Sequence, residues 1–150
     1  MTEGETEMFE TVRYTADVVC IRDGAVLLIE RGWPPFQNQL ALPGGHVDIG
    51  ETSRVAAARE LLEEAGVEVD PDALELVGVY DAPFRDPRGR YVTVAYLARV
   101  PAGTAARAGD DAAAVRWTPL DGLTEDLAFD HNQILADALD LVAAAEPSGC

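Results

Sequence analysis

Cysteine is nearly absent from these 150 residues: Cys20 sits inside an apolar run and Cys150 is the last residue. Two cysteines so placed make no disulfide framework. Basic residues are scarce too, with 11 Lys and Arg against 27 Asp and Glu, for a formal net charge of −16. A phosphate backbone is repelled over the whole of such a surface, so no nucleic acid is expected as a partner. No apolar span of about 18 residues occurs, which removes the membrane as a partner. No basic segment leads into an apolar one, so no secretory leader is expected and the reading places the chain in the cytoplasm.

What is present describes an ordinary globule. Hydrophobic residues make up 48% and the mean hydropathy is −0.01. A chain of this length buries roughly two-thirds of its unfolded surface as one domain. That domain is expected to span residues 1–150, with about 1–8 and 146–150 as flexible tails. Alternation and β-branched runs predict strands at 11–20, 25–30, 74–80, 91–100 and 113–117. Asp23-Gly24 predicts a hairpin turn, and residues 31–40, with two prolines, predict a loop. Apolar residues from Ile134 to Val142 recur at helical spacing, predicting a helix over 132–145. Strands interrupted by one helix and followed by another imply an α/β fold with a mixed sheet between helices.

The most informative stretch is Gly45 to Val67, a glycine turn entering an amphipathic helix. Thr52 or Ser53 is suited to cap its start, and Gly66 to close its end in the left-handed conformation. With Glu60 at the origin of a helical wheel, Glu63 and Glu64 fall within roughly 60° of it. Val55, Ala58, Leu61, Leu62 and Ala65 form the opposite, sheet-facing arc. Carboxylates so close repel by a few tenths of a kcal/mol per pair in water, and more when shielded. A hard divalent cation turns that repulsion into coordination, and Mg2+ keeps waters for a phosphate to displace. An acidic helix face is more often simply solvated. The surroundings argue otherwise here: Pro43-Gly44-Gly45 lets backbone approach a ligand, and Arg59 is spaced to reach back to Glu51.

Taken together, Gly45, Glu51, Arg59-Glu60-Leu61, Glu63-Glu64 and Gly66-Val67 resemble the Nudix hydrolase signature at every fixed position. The resemblance implies an α/β/α sandwich that cleaves a nucleoside diphosphate derivative. It implies Mg2+ or Mn2+ held by Glu60, Glu63, Glu64 and the Gly44 carbonyl, with those glutamates catalytic and Gly45, Glu51 and Arg59 supporting the site. Dimers are frequent among members of that family, so a homodimer is an expected assembly. Pro83 stands sixteen positions after Val67, similar to a proline that marks ADP-ribose pyrophosphatases. The stretches 85–98 and Leu127-Ala128-Phe129-Asp130-His131 also look like that subgroup. The expected substrate is thus a small nucleotide, best ADP-ribose cleaved to AMP and ribose 5-phosphate. Two alternatives stand beside it: a nucleoside triphosphate sanitiser acting on oxidised dGTP, and a non-catalytic ADP-ribose sensor. The sensor reading follows from a resemblance to the ligand domain of bacterial regulators of NAD metabolism. Those carry a winged helix afterwards, for which this chain is expected to have no room.

The negative field of the chain repels a nucleotide as well, so cations and local arginines must reverse it at the site. Arg31, Arg88 and Arg90 are the substrate-binding arginines expected, and Trp33 and Phe36 the aromatics to stack a base. The general base stays open among Glu60, Glu64 and the later acidic residues Asp110, Asp111, Glu125 and Asp126. His131 is expected to cap or pack rather than catalyse, and His46 has no assigned role.

Overall fold

The computed structural model describes residues 9–109 and 112–145. The expected tails, Asp110, Asp111 and Cys150 lie outside the described residues. The elements run β1 (Val12–Arg22), β2 (Ala25–Arg31), β3 (Leu40–Ala41), β4 (Gly44–His46), α1 (Ser53–Ala65), a 3-10 turn (Pro71–Ala73), β5 (Glu75–Tyr80), β6 (Arg90–Arg99), β7 (Ala112–Pro119) and α2 (His131–Ala145).

The seven strands form one sheet ordered β3-β2-β1-β6-β5, with β4 on β1 and β7 on β2. β1 and β6 run parallel over ten residue pairs, while every other pairing is antiparallel, so the sheet is mixed. The β1–β2 hairpin pairs only beside its turn, Ile21 with Val26 and Arg22 with Ala25. Farther from the turn β4 takes over the pairing with β1, and β3 with β2. The glycines of β4 therefore lie where the hairpin splays.

Side chains alternate across the sheet. Ala16, Val18 and Cys20 pack on one face under α1, with Leu61, Ala65 and Val67. Val19, Ala95 and Leu97 pack on the other under α2, with Ile134, Leu135 and Ala138. Helices thus cover both faces. Cys20 is a packing atom whose thiol burial pushes up to about 12.

α1 starts at the Thr52 cap, whose side chain accepts the Val55 N–H, and ends at Gly66 with φ of 69°. Its buried face shares Ala58, Leu61 and Ala65 with the one the wheel predicts but is rotated from it. Val55 and Leu62 are exposed, while Ala56, Ala57, Ala58, Leu61 and Ala65 are buried. The small side chains let the helix lie close to the sheet, and the face turns so that the Glu60–Glu64 row borders β4. The element boundaries differ from expectation by one or two residues: β1 runs on to Arg22 and β2 to Arg31, β6 begins at Arg90, β7 extends over Ala112–Pro119, and α2 starts at His131.

Candidate active site

A cavity of about 350 Å³ opens beside the splay. Asp17, Asp48, Glu60, Glu64 and Asp86 line it, together with Arg31, Arg85, Arg88 and the aromatics Trp33, Tyr91, Phe129 and His131. With five carboxylates against three guanidiniums, the wall is net negative without a cation.

The carboxylate wall is built on glycine. Gly44 pairs with Asp17 and Gly45 with Ala16 across the β4–β1 ladder. The Gly44 N–H donates to Glu64 Oε2 at 3.2 Å. A side chain at Gly45 would collide with the Glu60 carboxylate. The end of α1 is pinned as well, because Arg107 N–H donates to the Ala65 carbonyl and Gly109 N–H to the Glu64 carbonyl, both at 2.8 Å. These bonds satisfy helix-end acceptors that otherwise lack partners.

Arg59 organises the opposite side of this row. Its Nε and Nη2 donate to Glu51 at 2.8 and 2.9 Å, and Nη2 also reaches the His46 carbonyl at 2.9 Å. Its Nη1 donates to Glu60 at 2.9 Å and to Glu63 at 3.0 Å. The Arg59 bonds hold the Glu51 carboxyl down at about 2. Glu60 is displaced upward, because burial outweighs its contact with Arg59.

Glu63 stands apart from the other expected ligands in this arrangement. It is exposed, held by Arg59, and absent from the cavity wall. Among the described residues no three acidic, His or Cys side chains are gathered to hold an ion as they stand. The physical reason is the guanidinium between Glu60 and Glu63, which neutralises them in the same way a cation would. The donors still fit a hard divalent ion: Glu60 and Glu64 supply carboxylate oxygens at a side-chain-free backbone, with no soft ligand nearby.

Another part of the lining is built from arginines and aromatic rings. Arg31 and Arg88 lie 4.8 and 5.5 Å from the Phe129 ring centroid, and Arg88 also covers Tyr91 at 4.7 Å. Arg88 is paired bidentately with buried Asp86 at 3.0 and 2.7 Å. That pairing, against the opposing effect of burial, holds the Asp86 carboxyl below its usual range. Arg85 is likewise paired with Asp130 at 2.8 and 2.6 Å. Arg31 instead donates to the Pro35 carbonyl at 2.7 Å, and burial with the nearby Arg88 charge lowers its pKa. Phe129 adopts φ of 54°, a conformation that costs a bulky residue of order 1 kcal/mol and clusters at ligand sites.

Of the residues expected to bind substrate, Arg31, Trp33 and Arg88 line the cavity. Arg90 does not: β6 directs it to Glu10, at 2.5 Å. Phe36 does not line it either, because its ring packs edge-on against Phe129 at 4.8 Å. Among the expected bases, Glu125 pairs with Arg116, and both Glu125 and Asp126 border a different cavity.

Asp17, Arg85, Asp86, Tyr91 and Phe129 line the cavity without having been given a role there from sequence, although all but Asp17 lie in the stretches that resemble the ADP-ribose subgroup. Asp17 carried a signal, being a lone acid within the run Thr15–Cys20. It is buried and accepts the Thr93 hydroxyl at 2.6 Å. A buried carboxylate costs several kcal/mol unless it is so bonded.

The model of the NUDIX domain matches residues 11–138. An ADP-ribose pyrophosphatase of Methanocaldococcus jannaschii is 41% identical over 121 residues, covering 81% of this chain and 69% of that protein. Among solved structures, the NUDIX domain of Shewanella oneidensis NrtR complexed with ADP ribose superposes with a TM-score of 0.81 at 31% identity. That likeness covers 95% of this chain and 99% of that one. A bifunctional NMN adenylyltransferase/ADP ribose pyrophosphatase from Francisella tularensis, complexed with AMP and a Mn ion, gives 0.79 at 28% identity. It covers 89% of this chain, which spans only 42% of that one.

Proposed function

The chain belongs to the NUDIX domain family and is a Nudix pyrophosphatase; from that premise we propose that it hydrolyses ADP-ribose to AMP and ribose 5-phosphate with Mg2+ or Mn2+. One observation carries the reading: Glu60 and Glu64 meet at the Gly44–Gly45 backbone and line one cavity together with Arg31, Arg88 and Phe129. One wall is matched to a cation and the other to an anion with an aromatic or ribose end. The ADP-ribose pyrophosphatase activity by which the M. jannaschii and F. tularensis proteins are named, and the ADP ribose bound by NrtR, support the same class.

Glu60, Glu64 and the Gly44 carbonyl would hold the ion, and Glu63 would join them by giving up Arg59. The ion, when bound, neutralises phosphate oxygens and lowers the pKa of a bound water. Arg31 and Arg88 take the remaining phosphate charge, and Trp33 at the cavity mouth stacks the base. Glu60 or Glu64 accepts one proton at a carboxylate oxygen as the water oxygen bonds to one phosphorus and the bridging P–O bond breaks. Arg59 and Glu51 keep the turn against the helix throughout.

The test is a substrate panel. The purified chain is incubated with Mg2+ and ADP-ribose, NADH, dinucleoside polyphosphates, sugar nucleotides or oxidised dGTP, in heavy-oxygen water, and product masses are read. Fastest turnover of ADP-ribose, with the label in one phosphate, supports the proposal; faster turnover of oxidised dGTP establishes a triphosphate sanitiser instead. Thermal stabilisation by ADP-ribose without any product over hours would make the chain a sensor.

A further inference from the structure

His131 opens α2, and its ring lines the cavity and reaches the segment that leads into β4. The imidazole is buried, and its Nδ1 accepts the Leu42 N–H at 3.0 Å. A neutral ring bonded in this way carries its proton on Nε2, which lies 3.8 Å from Asp17 Oδ2. The next residue, Pro43, has no N–H, and its carbonyl accepts the Val18 N–H at 2.9 Å. Gly44 and Gly45 follow directly. The segment entering the glycine pair is thus tied at two points, one to β1 and one to His131. A buried N–H at Leu42 deprived of its acceptor would shift to find another, because an unpaired one is costly.

We infer that His131 is a positioning residue: through Leu42 it sets the Gly44–Gly45 backbone against Glu60 and Glu64. The same residue follows Phe129 and Asp130, whose ring and carboxylate build the arginine wall, so one short segment registers both walls of the cavity. The inference rests on the function proposed above for the role of those carboxylates.

Three variants of the full chain test it. Asn at this position keeps an acceptor near the place of Nδ1, Gln puts its polar end near Nε2, and Leu has neither. Two readouts need no turnover: hydrogen exchange of the Leu42, Gly44 and Gly45 amides, and Mn2+ half-saturation by water-proton relaxation. His131→Asn is expected to keep the amides protected and Mn2+ half-saturation within about threefold, while His131→Gln and His131→Leu lose protection and raise it about tenfold. At saturating Mn2+ the KM for ADP-ribose should move less than the metal requirement does. Equal protection and equal Mn2+ binding in the Asn and Gln variants would overturn the inference, and that pair decides it even if the Leu variant fails to fold. Should the wild-type chain bind no Mn2+, the proposed function fails, while Leu42 protection still decides what His131 does.

Discussion

A Cβ atom built on Gly45 would stand 2.5 and 2.6 Å from the two carboxylate oxygens of Glu60. The glycine is there to make room for the acid. The backbone at Gly45 is not in the left-handed region, so an alanine strains nothing locally. Gly45→Ala should therefore cost under about 1 kcal/mol of stability, yet displace Glu60 and weaken metal affinity about tenfold or more. Thermal melts and Mn2+ titration check the two halves separately.

Gly44→Ala should behave differently. Its Cβ would meet the Asp17 carboxylate and the Ala16 backbone, neither of which swings away cheaply. The expected outcome is a loss of about 2 kcal/mol or more, visible as a lowered denaturant midpoint.

Glu60→Gln and Glu64→Gln should each cut turnover about a hundredfold or more while melting like wild type. Glu63→Gln tests whether that residue leaves Arg59 for the ion. Loss of rate comparable to the other two supports the exchange, and a wild-type rate confines Glu63 to its ion pair with Arg59.

The arginines separate by wall. Arg31→Gln and Arg88→Ala should raise KM about tenfold, the value of one charge-assisted hydrogen bond. Arg90→Ala should leave KM unchanged, since that side chain pairs with Glu10 away from the cavity.

Stability should fall on mild acidification. Burial first of all lowers the His131 pKa below 6.5; Arg85 and Arg31 add to this, and Asp17 and Asp130 oppose it. The neutral ring is the folded form, so its contribution is full above 6.5. Below that the unfolded chain protonates first, and stability declines by up to about 1.4 kcal/mol per pH unit until the folded value is passed. Melts between about pH 7 and 5.5 should show this slope in wild type and a flatter one in His131→Asn.

The family and the layered fold were legible because their evidence is local. The spacing of Gly45, Glu51, Arg59 and the glutamates lies within one turn and one helix, and Gly66 stops that helix where a glycine should. The rotation of α1 was not legible: hydrophobicity alone favoured burying Leu62 and Val55, whereas close packing of alanines decided the face. The arginine wall was only half visible. Arg90 and Arg88 stand two apart in sequence, but the ladder of β6 sends one to Glu10 and the loop turns the other onto Asp86 and Phe129. Asp17 meets His131 across most of the chain, a contact that no local pattern encodes, and Phe129 joins that site as a near neighbour of His131 in sequence.

The most direct test of the account is a calorimetric Mn2+ titration of the wild-type chain beside Glu60→Gln and Glu64→Gln, each confirmed folded. The account predicts binding in the wild type that weakens about tenfold or more in both variants and tightens when AMP is present. Binding of equal strength in all three proteins would place the ion elsewhere and contradict it.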